Sequence, residues 1–367
     1  MVRVVEDSFG NAINPLTKRN ETIRRFTISN EMQMSVQVIT RGATITTLKV
    51  PDASGNVDDV VLGYDDIAGY QTSTNPYFGA TVGRVCNRIG NGRFKLAGRE
   101  IQVSRNFNNK HQLHGGFIGF DKVHWEVIGV HADGVTLQHS SPDGHEGYPG
   151  QVTATVHFTL TEDNCLHVRM EAETTKTTAV NMTNHTYFNL AGHASGSTEI
   201  YAHSIKINAN DITETDADSI PTGQLTAVQG TPYDLRATGN LGERLKKLLP
   251  ARGYDDNYCV ELVNNGITVI GKAFHPGSGR WLEIASNQPG VQFYTSNFMP
   301  DVTEPPIEGK SGAKYHKHGA FCLETQKYPD AVNHPNFPSI ILNPGEKYNH
   351  EVIYKFGVCR HCEAEPE

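Results

Sequence analysis

Long apolar runs, cysteine and positive charge are all scarce in this chain of 367 residues. No stretch reaches the roughly 18 consecutive apolar residues that a transmembrane helix needs, so we expect none. The 40 acidic residues outnumber the 32 basic ones, which leaves a net charge of −8. Nucleic acids and anionic membranes both bind basic surfaces, so neither is an expected partner.

The six cysteines lie far apart, and they are too few for the disulfide framework of a secreted domain. Residues 1–7 carry early acidic side chains and lack the apolar core of a signal peptide. We therefore expect reduced thiols and a cytoplasmic location. Cys359 and Cys362 have CxxC spacing, but a structural zinc site needs four ligands, which favours an incidental pair in a polar tail.

Patterns typical of strands are abundant. Apolar and polar residues alternate over 152–160 and again over 166–172, which predicts a hairpin around the turn at 162–164. Shorter runs of the same kind occur at 34–50, 99–104, 123–130, 134–139, 199–208, 258–274, 281–285, 291–295 and 338–342. Because 35 glycines supply many tight turns between these runs, the sequence predicts an all-β sandwich or barrel.

Patterns typical of helices are few. The clearest one covers 240–250, with Asn240 as the N-cap and Pro250 as the stop, and a short helical turn is expected around 64–69. The chain has no internal repeat, long linker or low-complexity block. We therefore expect one domain over 1–367, with a polar tail that begins at about residue 357.

Candidate site residues lie in segments that are rich in glycine and polar side chains. In the first, 79–90, Asn87 and Arg88 either bind a ligand or form a capped turn with a surface ion pair. No helix pattern follows this segment, which argues against a phosphate-binding loop. In the second, 112–116, His114 precedes two glycines that would let a ligand approach closely, although a structural histidine fits the pattern as well.

The segment 181–192 contains a second candidate histidine. In an extended strand His185 and Tyr187 lie on one face, whereas Asn184 and Thr186 lie on the other. An aromatic ring beside a histidine suits a sugar, because sugars present C–H groups to rings and hydroxyls to polar groups. An Asn/Thr network that ties strands together is the alternative interpretation.

Two further segments contain candidate carboxylates. Asp255 and Asp256 lie in the turn-rich segment 253–258, where they accept hydrogen bonds from a ligand or remain solvated. Glu324 follows the apolar run 320–323, so its carboxylate is expected to be buried. Burial raises the pKa of a carboxyl group towards that of a useful general base.

Eight stretches of distinctive composition follow one another along nearly the whole chain: 83–89, 113–116 with 119–122, 141–150, 183–190, 220–223 with 230–234, 253–255, 288–294 and 322–326. In composition and order they resemble the aldose 1-epimerase (galactose mutarotase) family. One such stretch alone is weak evidence, whereas eight in order are highly specific. The chain departs from the family pattern at Cys86, where a small residue is common, and in a longer tail beyond Phe356.

The resemblance implies a large, mostly antiparallel β-sandwich of the galactose mutarotase-like supersandwich type, with a few short helices. It also implies interconversion of the α and β anomers of free hexoses, such as galactose and glucose, without a metal or an organic cofactor. A monomer or a weak homodimer is expected. By motif, Glu324 resembles the general base and His185 the general acid, and the implied sugar-binding residues are Asn87, Arg88, His114, Tyr187, Asp255 and Gln292.

The implied reaction sets requirements on protonation. Opening the sugar ring needs a base at the anomeric hydroxyl and an acid at the ring oxygen, and the two groups exchange roles in the reverse direction. We therefore expect Glu324 to be ionised and His185 to be protonated, with their mutual attraction keeping both charged. Asp256 has no clear role in the family.

Three other functions compete with this interpretation. A hexose-6-phosphate epimerase needs extra cations at the cleft, for which Arg84 and Arg88 are available. A non-catalytic sugar-binding module has no need to keep both Glu324 and His185. A glycoside hydrolase usually needs two carboxylates that flank the bond, and only Glu324 has a strong motif context.

Overall fold

The computed structural model describes residues 1–249 and 252–359, in which strands predominate. The strands in the first half are β1 (Arg3–Ile13), β2 (Asn20–Ser29), β3 (Ser35–Ile39), β4 (Thr44–Pro51), β5 (Val57–Asp59), β6 (Thr81–Val82), β7 (Arg88–Ile89), β8 (Arg93–Leu96), β9 (Arg99–Gln102), β10 (Gln112–Leu113), β11 (Glu126–Val130), β12 (Gly134–Ser141), β13 (Val152–Leu160), β14 (Cys165–Thr174) and β15 (Thr178–Ala179).

The strands in the second half are β16 (Thr183–Asn184), β17 (Tyr187–Phe188), β18 (Ser204–Ile207), β19 (Ala209–Thr215), β20 (Pro221–Ala227), β21 (Gly239–Asn240), β22 (Asp255–Val260), β23 (Thr268–Phe274), β24 (Arg280–Ser286), β25 (Gly290–Tyr294), β26 (Ile307–Glu308), β27 (Lys314–Tyr315), β28 (Phe321–Gln326), β29 (Ile341–Leu342) and β30 (Tyr348–Val358). The described α-helices are short: α1 (Ile67–Tyr70), α2 (Gly196–Ala202) and α3 (Leu241–Leu245). Single 3₁₀ turns cover Gly90–Gly92, His145–Gly147, Val263–Asn265, Lys310–Gly312 and Ala331–Asn333.

Three sheets contain most of the strands. The first has five strands in the order β1-β2-β3-β4-β5, and the second has nine in the order β11-β12-β13-β14-β30-β24-β23-β18-β21. The third has six strands in the order β17-β28-β25-β22-β19-β20. The ladders of the two larger sheets are antiparallel, which confirms the predicted all-β, mostly antiparallel architecture.

The main core lies between the nine-stranded and six-stranded sheets. Alternate residues of β13, β14 and β30 contribute one side of it, and those of β25 and β28 contribute the other. In β28, Phe321 and Leu323 point into this core and are almost fully buried. Because side chains alternate along a strand, Cys322 and Glu324 must point to the opposite face of the six-stranded sheet. This alternation is what separates the core from the site.

Several predicted elements are confirmed. The predicted hairpin consists of β13 and β14, which pair from Val152 opposite Thr174 to Leu160 opposite Leu166. In α3, the Asn240 side chain accepts a hydrogen bond from the Glu243 N–H at 2.9 Å, as expected of an N-cap. Its predicted stop, Pro250, lies outside the described residues. The short helix expected around 64–69 is α1.

The prediction of a strand at 199–208 is wrong for the first residues of that range, which belong to α2 as far as Ala202. Only the later part is extended, as β18. Two polar contacts hold the helical turn. The backbone carbonyl of Glu199 accepts a hydrogen bond from His203 Nδ1 at 2.7 Å, and the Glu199 carboxylate pairs with His275 Nε2 at 2.8 Å. The predicted run 258–274 is likewise divided into β22 and β23 by a 3₁₀ turn.

The sequence pattern did not reveal β1 and β2, which are rich in charged residues. Their pairing is reinforced by cross-strand ion pairs, such as the one between Arg24 Nε and Glu6 Oε1 at 2.6 Å. Charged pairs of this kind stabilise an exposed sheet face, but they hide the alternation of apolar and polar residues on which sequence analysis relies.

At the carboxyl end, β30 continues through Val358, and the rest of the predicted tail lies outside the described residues. Cys86, Cys165, Cys259 and Cys322 are buried free thiols, as expected. Cys359 is disulfide-bonded, which departs from the expected reduced state. Its CxxC neighbour Cys362 lies outside the described residues. Among the described residues, no helix is long and apolar enough to cross a membrane.

A buried ion pair joins the five-stranded sheet to the 3₁₀ turn at Lys310–Gly312. Lys310 Nζ donates to Asp59 Oδ2 at 2.5 Å and to the carbonyls of Thr46 and Val61 at 2.9 and 2.7 Å. The other oxygen of Asp59 accepts backbone N–H groups from Leu48 and Val61. Both charges therefore have partners for their hydrogen-bonding atoms although water is excluded.

Replacing Lys310 by methionine should lower the free energy of unfolding by about 3 kcal/mol, because the Asp59 carboxylate is left buried without its counter-charge. Urea denaturation followed by circular dichroism measures this loss. The matched control is Lys314→Met, since Lys314 is exposed, and it should change the stability by less than about 0.5 kcal/mol. Equal stability of the two variants would contradict this role for the buried pair.

Candidate active site

The candidate site is a cleft on the face of the six-stranded sheet that points away from the core. It has a volume of about 220 Å³. This is below the roughly 300–1,000 Å³ typical of pockets for drug-sized ligands, so the cleft suits one small molecule. Its lining residues are Pro76, Tyr77, Asn87, Arg88, Phe107, Leu113, His114, His185, Tyr187, Asp255, Gln292, Tyr294, Phe298 and Glu324.

Three neighbouring strands carry a row of polar side chains on the cleft side of the six-stranded sheet. Asn257 of β22 pairs with Gln292 of β25, and Gln292 pairs with Glu324 of β28. Directly paired residues on adjacent strands project on the same side of the sheet. The antiparallel register therefore lines up two amides and one carboxylate, although the three residues are far apart in the sequence.

His185 faces Glu324 across the cleft. Its Nε2 atom lies 3.6 Å from Glu324 Oε1, and both side chains are at most 5% exposed. Burial lowers the pKa of His185 to about 4, which the negative charge of Asp255 partly opposes. Burial also raises the pKa of Glu324 well above its usual range, and the charge of Asp255 adds to this rise, whereas Arg88 opposes it. Burial therefore outweighs the mutual attraction that we expected to keep both groups charged.

A hydrogen-bond network fixes the polar groups beside this pair. Gln292 Nε2 donates to Asp255 Oδ1 at 2.8 Å, and Asn87 Nδ2 donates to Gln292 Oε1 at 3.1 Å. The Arg88 guanidinium lies 3.3 Å from Asp255 Oδ2. Each of these side chains is held by a neighbour, so it is already oriented before a ligand binds. This reduces the conformational entropy that the side chains lose on binding.

His114 is held against Asn87 by two backbone contacts. The Asn87 N–H donates to His114 Nδ1 at 3.2 Å, and the His114 N–H donates to the Asn87 carbonyl at 2.9 Å. Since Nδ1 accepts a hydrogen bond, the neutral ring carries its proton on Nε2. Both residues have positive φ angles, 58° for Asn87 and 51° for His114, a conformation that is more frequent at functional sites than elsewhere.

The cleft also contains a possible metal-binding set, because ligand atoms of His114, His185 and Glu324 lie within 4.8 Å of one another. A metal ion needs an unprotonated nitrogen from each histidine. In His114 the unprotonated nitrogen is Nδ1, which already accepts the Asn87 N–H. The three residues therefore do not fit a resident metal ion without loss of that hydrogen bond, and the arrangement is better suited to proton transfer.

The structure brings all eight predicted site residues into this one cleft. They come from six separate segments of the sequence: Asn87, Arg88, His114, His185, Tyr187, Asp255, Gln292 and Glu324. Two neighbours do not belong to the lining. Arg84 donates to the carbonyls of Pro149 and Gly150 instead, so it is not available as an extra cation for the cleft. Asp256 pairs with Arg252 beneath the site.

Sequence analysis missed the aromatic walls of the cleft. Tyr77, Phe107, Tyr294 and Phe298 all line it, and the Phe107 ring lies 5.2 Å from the Arg88 guanidinium carbon. Tyr294 lies within 288–294, one of the eight stretches that carry the family resemblance, where its ring could have been noticed. Tyr77 follows Asn75 and Pro76 just before the glycine-rich segment 79–90. This nearness to a candidate binding segment was the sequence signal that could have identified it.

A large antiparallel β-sandwich, with a buried imidazole and carboxylate that face one polar cleft, is the class of protein that the fold and the site define. The family model for aldose 1-epimerase matches residues 24–355, and the chain belongs to this family. The chain is 46% identical to galactose mutarotase of Bos taurus over 92% of its own length and 95% of that protein. Galactose mutarotase of Rattus norvegicus is 44% identical over 98% of this chain and its own full length.

Solved structures agree with this membership. The aldose epimerase homologue from C. elegans superposes with a TM-score of 0.82 at 27% sequence identity, covering 90% of this chain and 97% of the other. A TM-score of this size over most of both chains means that the order and packing of the strands are shared, which confirms the galactose mutarotase-like fold implied by the sequence.

The protonation of His114 can be tested directly. Burial lowers the pKa of His114 well below its usual value, and the neighbouring His185 and Arg88 add to this fall. We expect ¹⁵N NMR to find a neutral ring with its proton on Nε2 from about pH 8 down to about pH 5. His114→Gln should remove the resonance and thereby assign it. A ring that becomes protonated near pH 6.5 would contradict the predicted burial and tautomer.

Proposed function

We propose that this protein is an aldose 1-epimerase, a mutarotase that interconverts the α and β anomers of free hexoses such as galactose and glucose. The observation that carries this proposal is the distance of 3.6 Å between His185 Nε2 and Glu324 Oε1 across a cleft of about 220 Å³. The names of the similar proteins from Bos taurus and Rattus norvegicus support it.

In the proposed mechanism Glu324 is the general base and His185 the general acid. The Glu324 carboxylate removes the proton of the anomeric hydroxyl, and the electrons of that O–H bond form the aldehyde C=O. The bond between the anomeric carbon and the ring oxygen breaks, and the ring oxygen takes the proton of His185. Rotation about the bond between the first two carbons presents the other face of the aldehyde. Ring closure then returns both protons by the reverse transfers.

The burial of the two groups is compatible with this mechanism because the pair shares one proton. Neutral Glu324 with neutral His185 contains as many protons as ionised Glu324 with protonated His185, so the two arrangements interconvert without exchange with solvent. Burial favours the neutral arrangement, whereas the reaction uses the charged one. The polar groups of the cleft must then stabilise the charged pair before ring opening, a step that neutralises both groups.

The remaining site residues have binding roles in this proposal. The Nε2–H of His114 and the Arg88 guanidinium are donors that can stabilise negative charge on sugar oxygens. Asp255, Gln292 and Asn87 hold sugar hydroxyls through a network that is already formed in the structure. The Tyr187 ring contributes an apolar face for the C–H groups of the sugar. No step of this scheme needs a metal or an organic cofactor.

The alternative functions are less well supported by the cleft. A phosphate ester needs several free cations. Among the described residues that line the cleft, one is a lysine or arginine, namely Arg88, and it is paired with Asp255. A glycoside hydrolase needs two free carboxylates, whereas Asp255 is bound by Arg88 and Gln292. Turnover measured on glucose 6-phosphate beside galactose distinguishes the phosphate-ester reaction from the proposed one.

We also propose a single domain, a cytoplasmic location and a monomer or weak homodimer with no nucleic-acid partner. The family match over residues 24–355 supports the single domain. The net charge of −8 is unfavourable for binding polyanions. Sedimentation equilibrium measures the oligomeric state.

Removing either proton-transfer group should slow catalysis. Glu324→Gln and His185→Ala are each expected to lower kcat by more than about a hundredfold, because each removes one of the two proton carriers. Polarimetry of freshly dissolved α-galactose measures the rate, after subtraction of spontaneous mutarotation in the same buffer.

The matched control for these variants is Glu126→Gln, since Glu126 is an exposed glutamate on the edge strand β11. It should keep the wild-type rate. Circular dichroism and thermal melting establish that the variants are folded. A folded Glu324→Gln or His185→Ala variant with nearly wild-type kcat would rule out the mechanism.

The rate should depend on pH as a bell-shaped curve. Acidification through the lower apparent pKa, which burial of His185 places at about 4, adds a second proton to the pair and removes the base. Alkalinisation through the upper apparent pKa, which burial of Glu324 raises above its usual range, removes the last proton and with it the acid. Polarimetric rates between about pH 3 and 9 test this, and a flat profile would contradict the pair.

A further inference from the structure

The imidazole of His185 stacks on two tyrosine rings. The Tyr187 ring lies 4.9 Å from it, centroid to centroid, with an angle of 6° between the ring planes. The Tyr77 ring lies 5.9 Å away at an angle of 11°. Both distances are within the about 6 Å at which an aromatic face attracts a cation. A protonated imidazole in this position therefore meets the electron-rich faces of two rings.

Within the described part of the chain, and apart from a contact of the ring with the backbone of His185 itself, no hydrogen bond stabilises the charge of this imidazole. Among the described residues, the buried Nδ1 atom of His185 has no hydrogen-bond partner. Its Nε2 atom is 3.6 Å from Glu324 Oε1, which is too long for a hydrogen bond. Catalytic histidines usually have an orienting carboxylate or carbonyl on the second nitrogen, so some other contact must orient this ring.

The backbone couples Tyr77 to His185. The Gly79 N–H donates to the His185 carbonyl at 3.0 Å, and the His185 N–H donates to the Ala80 carbonyl at 2.9 Å. Gly79 has a φ of +65°, and a Cβ atom there would lie 1.8 Å from the Ile45 carbonyl oxygen. Only glycine fits this close approach, and it lets the segment that carries Tyr77 lie directly against His185.

We propose that Tyr77 is a positioning residue for the reaction, which holds the His185 ring and stabilises its protonated form through the face of its own ring. The inference rests on the proposed function, because it concerns the acid of that mechanism. Tyr77 acts through His185 and does not itself transfer a proton. Tyr187 supplies a second stacking face, but it lies two residues from His185 on the same extended segment.

Several other charged and titratable groups lie around His185 and Tyr77. The ring of His114 lies 5.2 Å from that of His185 and 4.6 Å from that of Tyr77. Lys122 Nζ lies 5.6 Å from the Tyr77 ring. Groups that face His185 from the neighbouring strands are Glu324 of β28, Asp255 of β22, Tyr294 of β25 and Arg88 of β7. Substitution of Tyr77 removes the ring contacts of Lys122 and His114 but none of these groups themselves.

The test compares three replacements of Tyr77. Tyr77→Phe keeps the aromatic face, Tyr77→Leu removes it, and pentafluorophenylalanine keeps the shape but reverses the quadrupole of the ring. We expect the leucine and pentafluorophenylalanine proteins to lose about tenfold in kcat, with KM changed less than about threefold. Tyr77→Phe should recover most of this loss. Phe117→Leu, an exposed aromatic outside the cleft, should keep the wild-type rate.

A second readout does not depend on turnover. NMR titration of the His185 imidazole should show its pKa lowered by about one unit in the leucine and pentafluorophenylalanine proteins, relative to Tyr77→Phe. The acid limb of the rate profile should move to lower pH by the same amount, because that limb reports protonation of the pair. A purely structural role of Tyr77 would not separate the phenylalanine from the pentafluorophenylalanine protein.

Each outcome decides a different question. An inactive wild-type protein would reject the proposed function, and the NMR titration would still test the stacking. An active wild type with the same kcat and His185 pKa in all variants would overturn the role of Tyr77. A change in KM alone would also overturn it, because Tyr77 would then act through His114 and sugar binding. If Tyr77→Leu does not fold, Tyr77→Met provides the non-aromatic comparison.

Discussion

Charges are unfavourable in a place from which water is excluded, and the site depends on how His185 and Glu324 share one proton there. Burial disfavours the charged form of each group, although the two lie only 3.6 Å apart. The surroundings therefore have to be polar in particular places and apolar in others. Asp255 is bound by Gln292 and Arg88, so its charge near the pair is compensated. Stacked rings cover the imidazole without competing for its proton.

The six-stranded sheet makes this arrangement possible by separating two environments that are one residue apart. On β28, Leu323 is packed in the core and Glu324 faces the cleft. The core fixes the backbone position, and the backbone in turn fixes the direction of the carboxylate. A strand pairing that slipped by one residue would exchange the two faces, so the register of β25 with β28 determines whether a site exists at all.

Sequence patterns predicted the class of fold well and individual elements less well. The hairpin of β13 and β14 was clear because one of its faces is buried and the other is partly exposed. The strands β1 and β2 were hidden by exposed charges that pair only across strands. The helix α2 replaced part of a predicted strand because Glu199 makes contacts with His203 and His275, and such contacts leave no periodic signal in the sequence.

The sequence by itself determined the chemical inventory, namely one carboxylate after an apolar run, one histidine next to an aromatic residue, and motifs that resemble one family in order. It also determined the all-β class, because alternation and glycine-rich turns are local properties. Only the tertiary structure decided that six distant segments meet in one cleft, that the Asn87 backbone sets the tautomer of His114, and that the Tyr77 ring lies on His185. These facts depend on strand register and loop packing, which involve residues far apart in the chain and so leave no local pattern to read.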